Sequence, residues 1–168
     1  MYIVHPLMPS RLSTILCVLL ALVAFGCKRK PTNPENEIRL FIEKTEGNVE
    51  SRNLSEIKES IASGYSDGKG LNKRRVVSLL QLQFLKRSSI HLLTRILSLN
   101  VTDDGKEADV SVLVAMAGVQ VESVDSLKGL RANLMRFHFR LFKDGDEWLV
   151  RSSTWSRAKL GDFLRSQD

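Results

Sequence analysis

The spacing of apolar residues changes once along the chain, close to Ser89. Before this point apolar side chains recur every three or four residues, as in helices, and after it they alternate with polar ones, as in half-buried strands. The pattern predicts three helices, over about 35–50, 54–63 and 73–87, and then four strands, over about 90–101, 107–119, 133–143 and 147–155. Helices followed by a run of strands indicate an α+β fold.

Local signals support these boundaries. Asn53 and Asn72 stand where side chains cap helices, and the polar segment 65–70 is typical of a loop. The connection 120–132 has apolar residues at a spacing of three, so it is expected to pack as a short helical or extended flap. Leu160, Phe163 and Leu164 predict a last helical turn.

Two Asp-Gly turns, at 103–106 and 143–146, predict that the four strands form two hairpins. Counting outward from each turn pairs Leu99 with Val110 and Leu141 with Trp148. The side predicted to face the helices then carries, on the first hairpin, His91, Leu93, Arg95, Leu97, Leu99, Val101, Ala108, Val110, Val112, Val114 and Met116. On the second hairpin it carries Met135, Phe137, Phe139, Leu141, Trp148, Val150, Ser152 and Thr154.

The order of helices and strands, with the segment 144–150 (DGDEWLV) and the pair Thr154-Trp155, resembles the nuclear transport factor 2-like superfamily, which includes the SnoaL-like proteins. The resemblance covers residues 35–168. It implies helices packed in the concave face of a curved, mainly antiparallel sheet, the cystatin-like cone, with a conical pocket between them. Because the family holds isomerases, dehydratases, epoxide hydrolases and non-catalytic binding modules, the fold alone does not assign a reaction.

The predicted interior favours the binding module over the enzyme. It contains no carboxylate, since Asp109 falls on the opposite side and Asp67 in the loop beside Tyr65, whereas the family's isomerases and dehydratases use an Asp base or an Asp-His pair. The alternative is a small isomerase, dehydratase or hydrolase that uses His91 and Arg95 with Tyr65 or Asp67. No cofactor is expected, and two histidines in residues 31–168 without clustered ligands do not indicate a metal site.

Seven residues are the candidates for ligand binding, and the expected ligand is a small amphiphile whose anionic group meets Arg95. Each has a structural alternative; for example, Arg95 can extend its charge to the rim and Tyr65 can fill the core. The opposite side carries Arg136, His138, Arg140 and Arg151. It is a solvated basic face, an anion-binding site or a surface for a homodimer. The seven candidates are Tyr65, His91, Arg95, Met116, Phe137, Trp148 and Thr154.

The N-terminal segment predicts export. Arg11 precedes an apolar run from Ile15 to Phe25, which at eleven residues is too short for a bilayer core of about 30 Å and is typical of a signal peptide. Translation starting at Met8 would give a more usual signal than a start at Met1. The signal is expected to span residues 1–26.

Residues 22–27 (LVAFGC) resemble the lipobox of bacterial lipoproteins, which implies that Cys27 carries fatty acid such as palmitate and becomes the mature N-terminus. Cys17 and Cys27 are the two cysteines, so an internal disulfide after cleavage is excluded. Lys28 follows the cysteine, and by the same resemblance this favours the periplasmic side of the outer membrane, with 27–34 as a polar tether. The alternative is a cleaved soluble protein with an incidental cysteine.

The charge gives no reason to expect a nucleic-acid partner. The whole chain carries a formal net charge of +6, but residues 31–168 hold 21 basic and 19 acidic residues. Nucleic-acid-binding domains carry a clear basic excess.

Overall fold

The computed structural model describes residues 33–165. The predicted signal peptide, Cys27 and all but the end of the tether lie outside the described residues. The described residues, from Asn33 to Arg165, belong to one compact unit. Among the described residues, no helix is both long enough and apolar enough to cross a bilayer.

Five strands form one sheet in the order β1-β5-β4-β3-β2. The strands β2 to β5 make the predicted antiparallel meander, and both hairpin turns place a glycine, Gly105 or Gly145, at positive φ. Glycine adopts this backbone region without the penalty that a Cβ atom imposes. The strand bounds are β1 Ile61–Asp67, β2 His91–Val101, β3 Glu107–Ala117, β4 Asn133–Asp144 and β5 Glu147–Arg157.

Three helices on one side of the sheet start within one residue of their predicted positions. They are α1 (Pro34–Glu50), α2 (Leu54–Glu59) and α3 (Lys73–Leu85). Each follows an asparagine whose side-chain oxygen accepts a hydrogen bond from a backbone N–H of the first turn. These caps satisfy donors that a helix start otherwise leaves without a partner.

The prediction of a longer second helix and a loop at 65–70 was wrong in part. The second helix ends at Glu59, and β1 occupies Ile61–Asp67. β1 pairs in parallel with β5, a partner far along the chain. Because strand formation depends on such neighbours more than on local preference, the segment's own pattern did not reveal it.

The predicted pairing of Leu141 with Trp148 was wrong, because Trp148 pairs with Lys143 and Leu141 with Val150; a displacement by two positions leaves the faces near this turn unchanged. Two bulges shift the pairing further along the strands. The register between β2 and β3 shifts between Ile96 and Ser98, which leaves Leu97 unpaired, and β5 has an extra residue at Arg151. An extra residue moves every side chain beyond it to the opposite face. The predicted faces are therefore correct between each turn and its bulge, and reversed beyond it on the bulged strand.

Buried side chains form two clusters on opposite faces of the sheet. On the concave face, Ile38 and Ile42 of α1 pack against the strands together with residues such as Val112 and Leu141. On the outer face, Leu113 and its neighbours are covered by the segment 120–132, which contains a short 3₁₀ helix at Asp125–Gly129, and by α4 (Leu160–Arg165). The last helical turn was predicted, and the connection takes the helical one of its two predicted alternatives.

Candidate functional site

The bulge at Leu97 removes two predicted polar residues, His91 and Arg95, from the concave face. His91 pairs with Ala117 and Arg95 with Leu113, and both partners belong to the outer cluster. The Arg95 guanidinium donates a hydrogen bond from Nη1 to the carbonyl oxygen of Phe163 at 2.8 Å. The expectation that Arg95 binds an anionic ligand group inside the cone was wrong, because Arg95 holds α4 against the outer face.

The bulge at Arg151 makes the same correction on β5. Thr154 pairs with His138 on the outer side and is exposed, so its predicted place on the inward face was wrong, as was that of Ser152. Ser153 and Trp155 take the concave face instead, opposite Phe139 and Phe137. Neither was a candidate, because the sequence shows no sign of the extra residue.

Four of the candidates do lie on the concave face: Tyr65, Met116, Phe137 and Trp148. Trp148 lies at the hairpin end, where its indole N–H donates to Glu37 of α1 at 3.0 Å and the Lys143 ammonium lies 2.6 Å from the same carboxylate oxygen. Trp148 is buried there and closes that end of the core.

The opposite end of the concave face carries an aromatic patch of Phe137, Phe139 and Trp155. The two phenylalanine rings are stacked with centroids 5.5 Å apart, and Trp155 lies 6.4 Å from Phe137. All three side chains are only partly buried, although they point to the helix side. Flat, partly exposed aromatic surfaces are well suited to contact apolar ligands.

A polar cluster of Tyr65, Asp67 and Ser153 borders this patch. The Tyr65 and Ser153 hydroxyl oxygens are 2.6 Å apart, and Asp67 pairs with Ser153 across the two parallel strands. All three residues are buried, and the Lys69 ammonium lies 4.9 Å from the centre of the Trp155 ring. The cluster therefore combines a phenol, a hydroxyl and a carboxylate beside an aromatic wall.

The two carboxylate oxygens of Asp67 have different surroundings. Oδ1 accepts hydrogen bonds from the backbone N–H groups of Lys69 (2.8 Å) and Leu71 (2.6 Å), which shapes the turn after β1. Oδ2 is buried and receives no hydrogen bond from the described part of the chain. A buried acceptor of this kind is costly unless a donor reaches it.

Burial raises the pKa of the Tyr65 hydroxyl, and the negative charge of Asp67 adds to this rise, while the hydrogen bond with Ser153 opposes it. Since an ordinary tyrosine already titrates near pH 10, Tyr65 keeps its proton at neutral pH. Its hydroxyl group is therefore available as a hydrogen-bond donor.

A second carboxylate, Glu46 of α1, lies against β2 at the free edge of the sheet. Burial raises the pKa of the Glu46 carboxyl group, while hydrogen bonds from the side chain and backbone of Thr94 act in the opposite direction. Glu50, one turn later, accepts from the backbone N–H of Leu92 at 2.7 Å. The two glutamates thus cover donors of an edge strand, a role that the helical pattern alone did not indicate.

Three arginines of the outer face, Arg136, Arg140 and Arg151, lie close to carboxylates. Arg151 lies 2.6 Å from Glu107, and Arg140 lies 3.4 Å from Asp109. Arg136 lies 3.7 Å from Asp162 of α4. These pairs explain the basic residues of this face without an anionic ligand, and the homodimer through it stays a prediction.

Within the described residues, no group of three or more His, Cys, Asp or Glu side chains is placed to hold a metal ion. No protein-family model matches the sequence, and no curated protein matches it either.

Several solved structures share this fold. A putative scytalone dehydratase from Novosphingobium aromaticivorans has a TM-score of 0.61 at 9% identity, over 74% of this chain and 84% of that one. A protein of unknown function from Pseudomonas putida, described as NTF2-like, has a TM-score of 0.53 at 19% identity, over 73% of this chain and 84% of that one. The chain has a nuclear transport factor 2-like fold.

Another match with this fold is part of a longer protein. Bd1075 of Bdellovibrio bacteriovorus has a TM-score of 0.56 at 13% identity, over 74% of this chain, and this chain covers only 40% of Bd1075. Identities this low establish the nuclear transport factor 2-like fold and leave the activity to be argued from the site.

Proposed function

We propose that this chain is a membrane-tethered binding module whose concave face takes a small, mainly apolar molecule with a hydrogen-bond donor or a positive charge. The observation that carries the proposal is the partly buried aromatic patch next to the unpaired Oδ2 of Asp67. Binding sites for such molecules hold the ligand through apolar surfaces and orient it through a few polar groups.

The preference for a donor follows from the polar groups at hand. Asp67 offers a buried acceptor, and a ligand hydroxyl or ammonium group would supply the missing hydrogen bond. The earlier expectation of an anionic ligand depended on Arg95, whose guanidinium lies on the outer face. A ligand carboxylate would instead meet the negative charge of Asp67, which is unfavourable in a partly desolvated site.

Calorimetric titration with three naphthalene derivatives tests this preference. 2-Naphthalenemethanol, 2-naphthylmethylamine and 2-naphthoate share one apolar body and differ in the polar group. We expect the alcohol and the amine to bind at least about tenfold more tightly than the carboxylate, since one charge-assisted hydrogen bond contributes about 1.5–3 kcal/mol. Phe137→Ala should weaken all three.

Asp67→Asn keeps the Oδ1 acceptor of the turn and removes the charge, so it should reduce the preference for the amine. The matched control is Asp109→Asn on the outer face, which should leave the preference unchanged. Tightest binding of the carboxylate, or equal effects of the two Asn variants, would refute the proposed orientation of the ligand.

The tether rests on the sequence. Five residues lie between Cys27 and the Asn33 cap of α1, and the six steps of chain that join these two positions span at most about 20 Å. A lipid on Cys27 would therefore keep the domain close to the bilayer. The outer membrane, on its periplasmic side, is the proposed location. Metabolic labelling with an alkyne fatty acid should mark the wild type and Cys17→Ser but not Cys27→Ser. Unlabelled wild-type protein would remove the lipid from the proposal.

A proton-transfer enzyme is the second candidate, favoured by the place of Asp67 and Tyr65 together on the concave face. A carboxylate base beside a phenol donor can move a proton next to a ligand carbonyl. The test is deuterium exchange at the methyl group of 2-acetylnaphthalene in D₂O, followed by NMR. Exchange above the buffer rate that Asp67→Asn abolishes would favour the enzyme; exchange at the buffer rate favours the binding module.

A further inference from the structure

The solvent face of α3 has a composition that the core does not explain. The inner face of the helix packs Val76, Val77, Leu80 and Phe84 against the main cluster. On the other side Leu79, Leu82 and Leu85 are 45%, 43% and 78% exposed. Exposed leucines usually occur singly, so three on one helix face indicate a surface that binds another molecule.

The charges of the same helix are all positive. No acidic residue occurs from residue 68 to residue 102, and the segment of α3 and its end holds Lys73, Arg74, Arg75, Lys86 and Arg87. Lys73 is used within the fold, since its ammonium group donates to the carbonyl oxygen of Ile61. Arg74, Arg75 and Lys86 are exposed, and the ion pairs found among residues 33–165 include none of the three.

The leucines and the cations share one arc of the helix. At about 100° per residue, Arg74, Leu85, Leu82, Arg75, Lys86 and Leu79 follow one another around the side opposite the buried face. Ser78 lies within the arc and is exposed as well. We call this set of seven residues the α3 outer face.

We propose that the α3 outer face lies on an anionic lipid surface. Leucine side chains with basic residues among them match the boundary between headgroups and acyl chains, where apolar burial and attraction to anionic lipids act together. A symmetric contact with a second copy would bring the same cations against one another, which is unfavourable. The charge of the face therefore favours an anionic bilayer over the chain itself.

This inference goes beyond the lipid on Cys27, because it concerns which side of the folded domain touches the bilayer. A fluorescent reporter at single cysteines separates the two. In a Cys17→Ser, Cys27→Ser background, an environment-sensitive dye is attached at Ser78→Cys or, as the matched control, at Ser156→Cys, which is exposed on β5. Any binding through the N-terminal segment is common to both proteins.

With vesicles of phosphatidylglycerol and phosphatidylcholine, we expect a blue shift of the dye at position 78 and none at position 156. The shift should weaken with added salt and be absent on pure phosphatidylcholine. Equal shifts at both positions, or no shift at position 78, would overturn the proposal.

Substitutions then test the two parts of the face. Arg74→Gln with Arg75→Gln should weaken binding to the anionic vesicles by about 25-fold, since each basic residue near the surface contributes about fivefold. The control pair Arg39→Gln and Lys58→Gln, exposed on α1 and α2, should change binding by less than about twofold.

Leu79→Gln with Leu82→Gln should abolish the shift, while Leu40→Gln, at a leucine 62% exposed on α1, should preserve it. Far-UV circular dichroism checks that each variant keeps its helices. Equal losses in test and control variants, or a leucine-dependent dimer seen by sedimentation in place of vesicle binding, would contradict the proposal.

Discussion

The hydrogen bond between Tyr65 and Ser153 joins the edge strand β1 to the sheet, and its strength can be predicted. Both residues are buried, 5% and 6% exposed, and the two hydroxyl oxygens are 2.6 Å apart. Tyr65→Phe leaves the serine hydroxyl without this partner, and Ser153→Ala does the same to the phenol. Each change should lower the free energy of unfolding by about 1–2 kcal/mol, the cost of an unpaired buried hydroxyl.

The double variant distinguishes this contact from general loss of packing. With both hydroxyls removed, no unpaired hydroxyl remains. The double variant should therefore lose less stability than the two single variants together, by about 0.5–1.5 kcal/mol. Equilibrium unfolding in urea measures all four proteins. Ser66→Ala, at an exposed neighbour in β1, serves as the control and should change stability by less than about 0.5 kcal/mol. Additive losses within about 0.3 kcal/mol would show that the two hydroxyls do not interact.

Two further stability changes are expected. Burial raises the pKa of the Glu46 carboxyl group in the folded protein above its usual value near 4.5. At pH values above the raised pKa, the ionised carboxylate therefore lowers the free energy of unfolding. This loss of stability disappears as the pH falls to the usual pKa. Glu46→Gln should therefore be at least as stable as wild type at pH 7 and lose this advantage near pH 4. Urea unfolding at both pH values measures the difference. A variant much less stable than wild type at pH 7 would refute the prediction. Leu113→Ala, at a fully buried site on the outer face, should cost about 2–5 kcal/mol. Phe137→Ala should lower the free energy of unfolding by less than the loss of about 3–5 kcal/mol expected for a fully buried phenylalanine, because the ring is partly exposed. If thermal unfolding showed the full loss of a buried phenylalanine, Phe137 would belong to a closed core.

The concave face shows where prediction from the sequence succeeded and where it failed. Met116, Phe137 and Trp148 were placed correctly, because β3 and β4 are regular and Trp148 lies between its turn and the bulge. Arg95 and Thr154 were misplaced, because each lies beyond a bulge on its strand. Alternation carries no mark of an extra residue when both neighbours suit a strand, as Ile96 and Leu97 do.

The sequence by itself determined the helix starts, the Asn53 and Asn72 caps, the two hairpins and the glycine turns, because these depend on contacts and backbone preferences close together in the chain. Tertiary structure alone decided the parallel pairing of β1 and the meeting of Asp67 with Ser153. It also decided the two bulges and the approach of Glu46 to Thr94. These features bring together residues far apart in the chain, and no local period records which distant strand or helix will supply the partner.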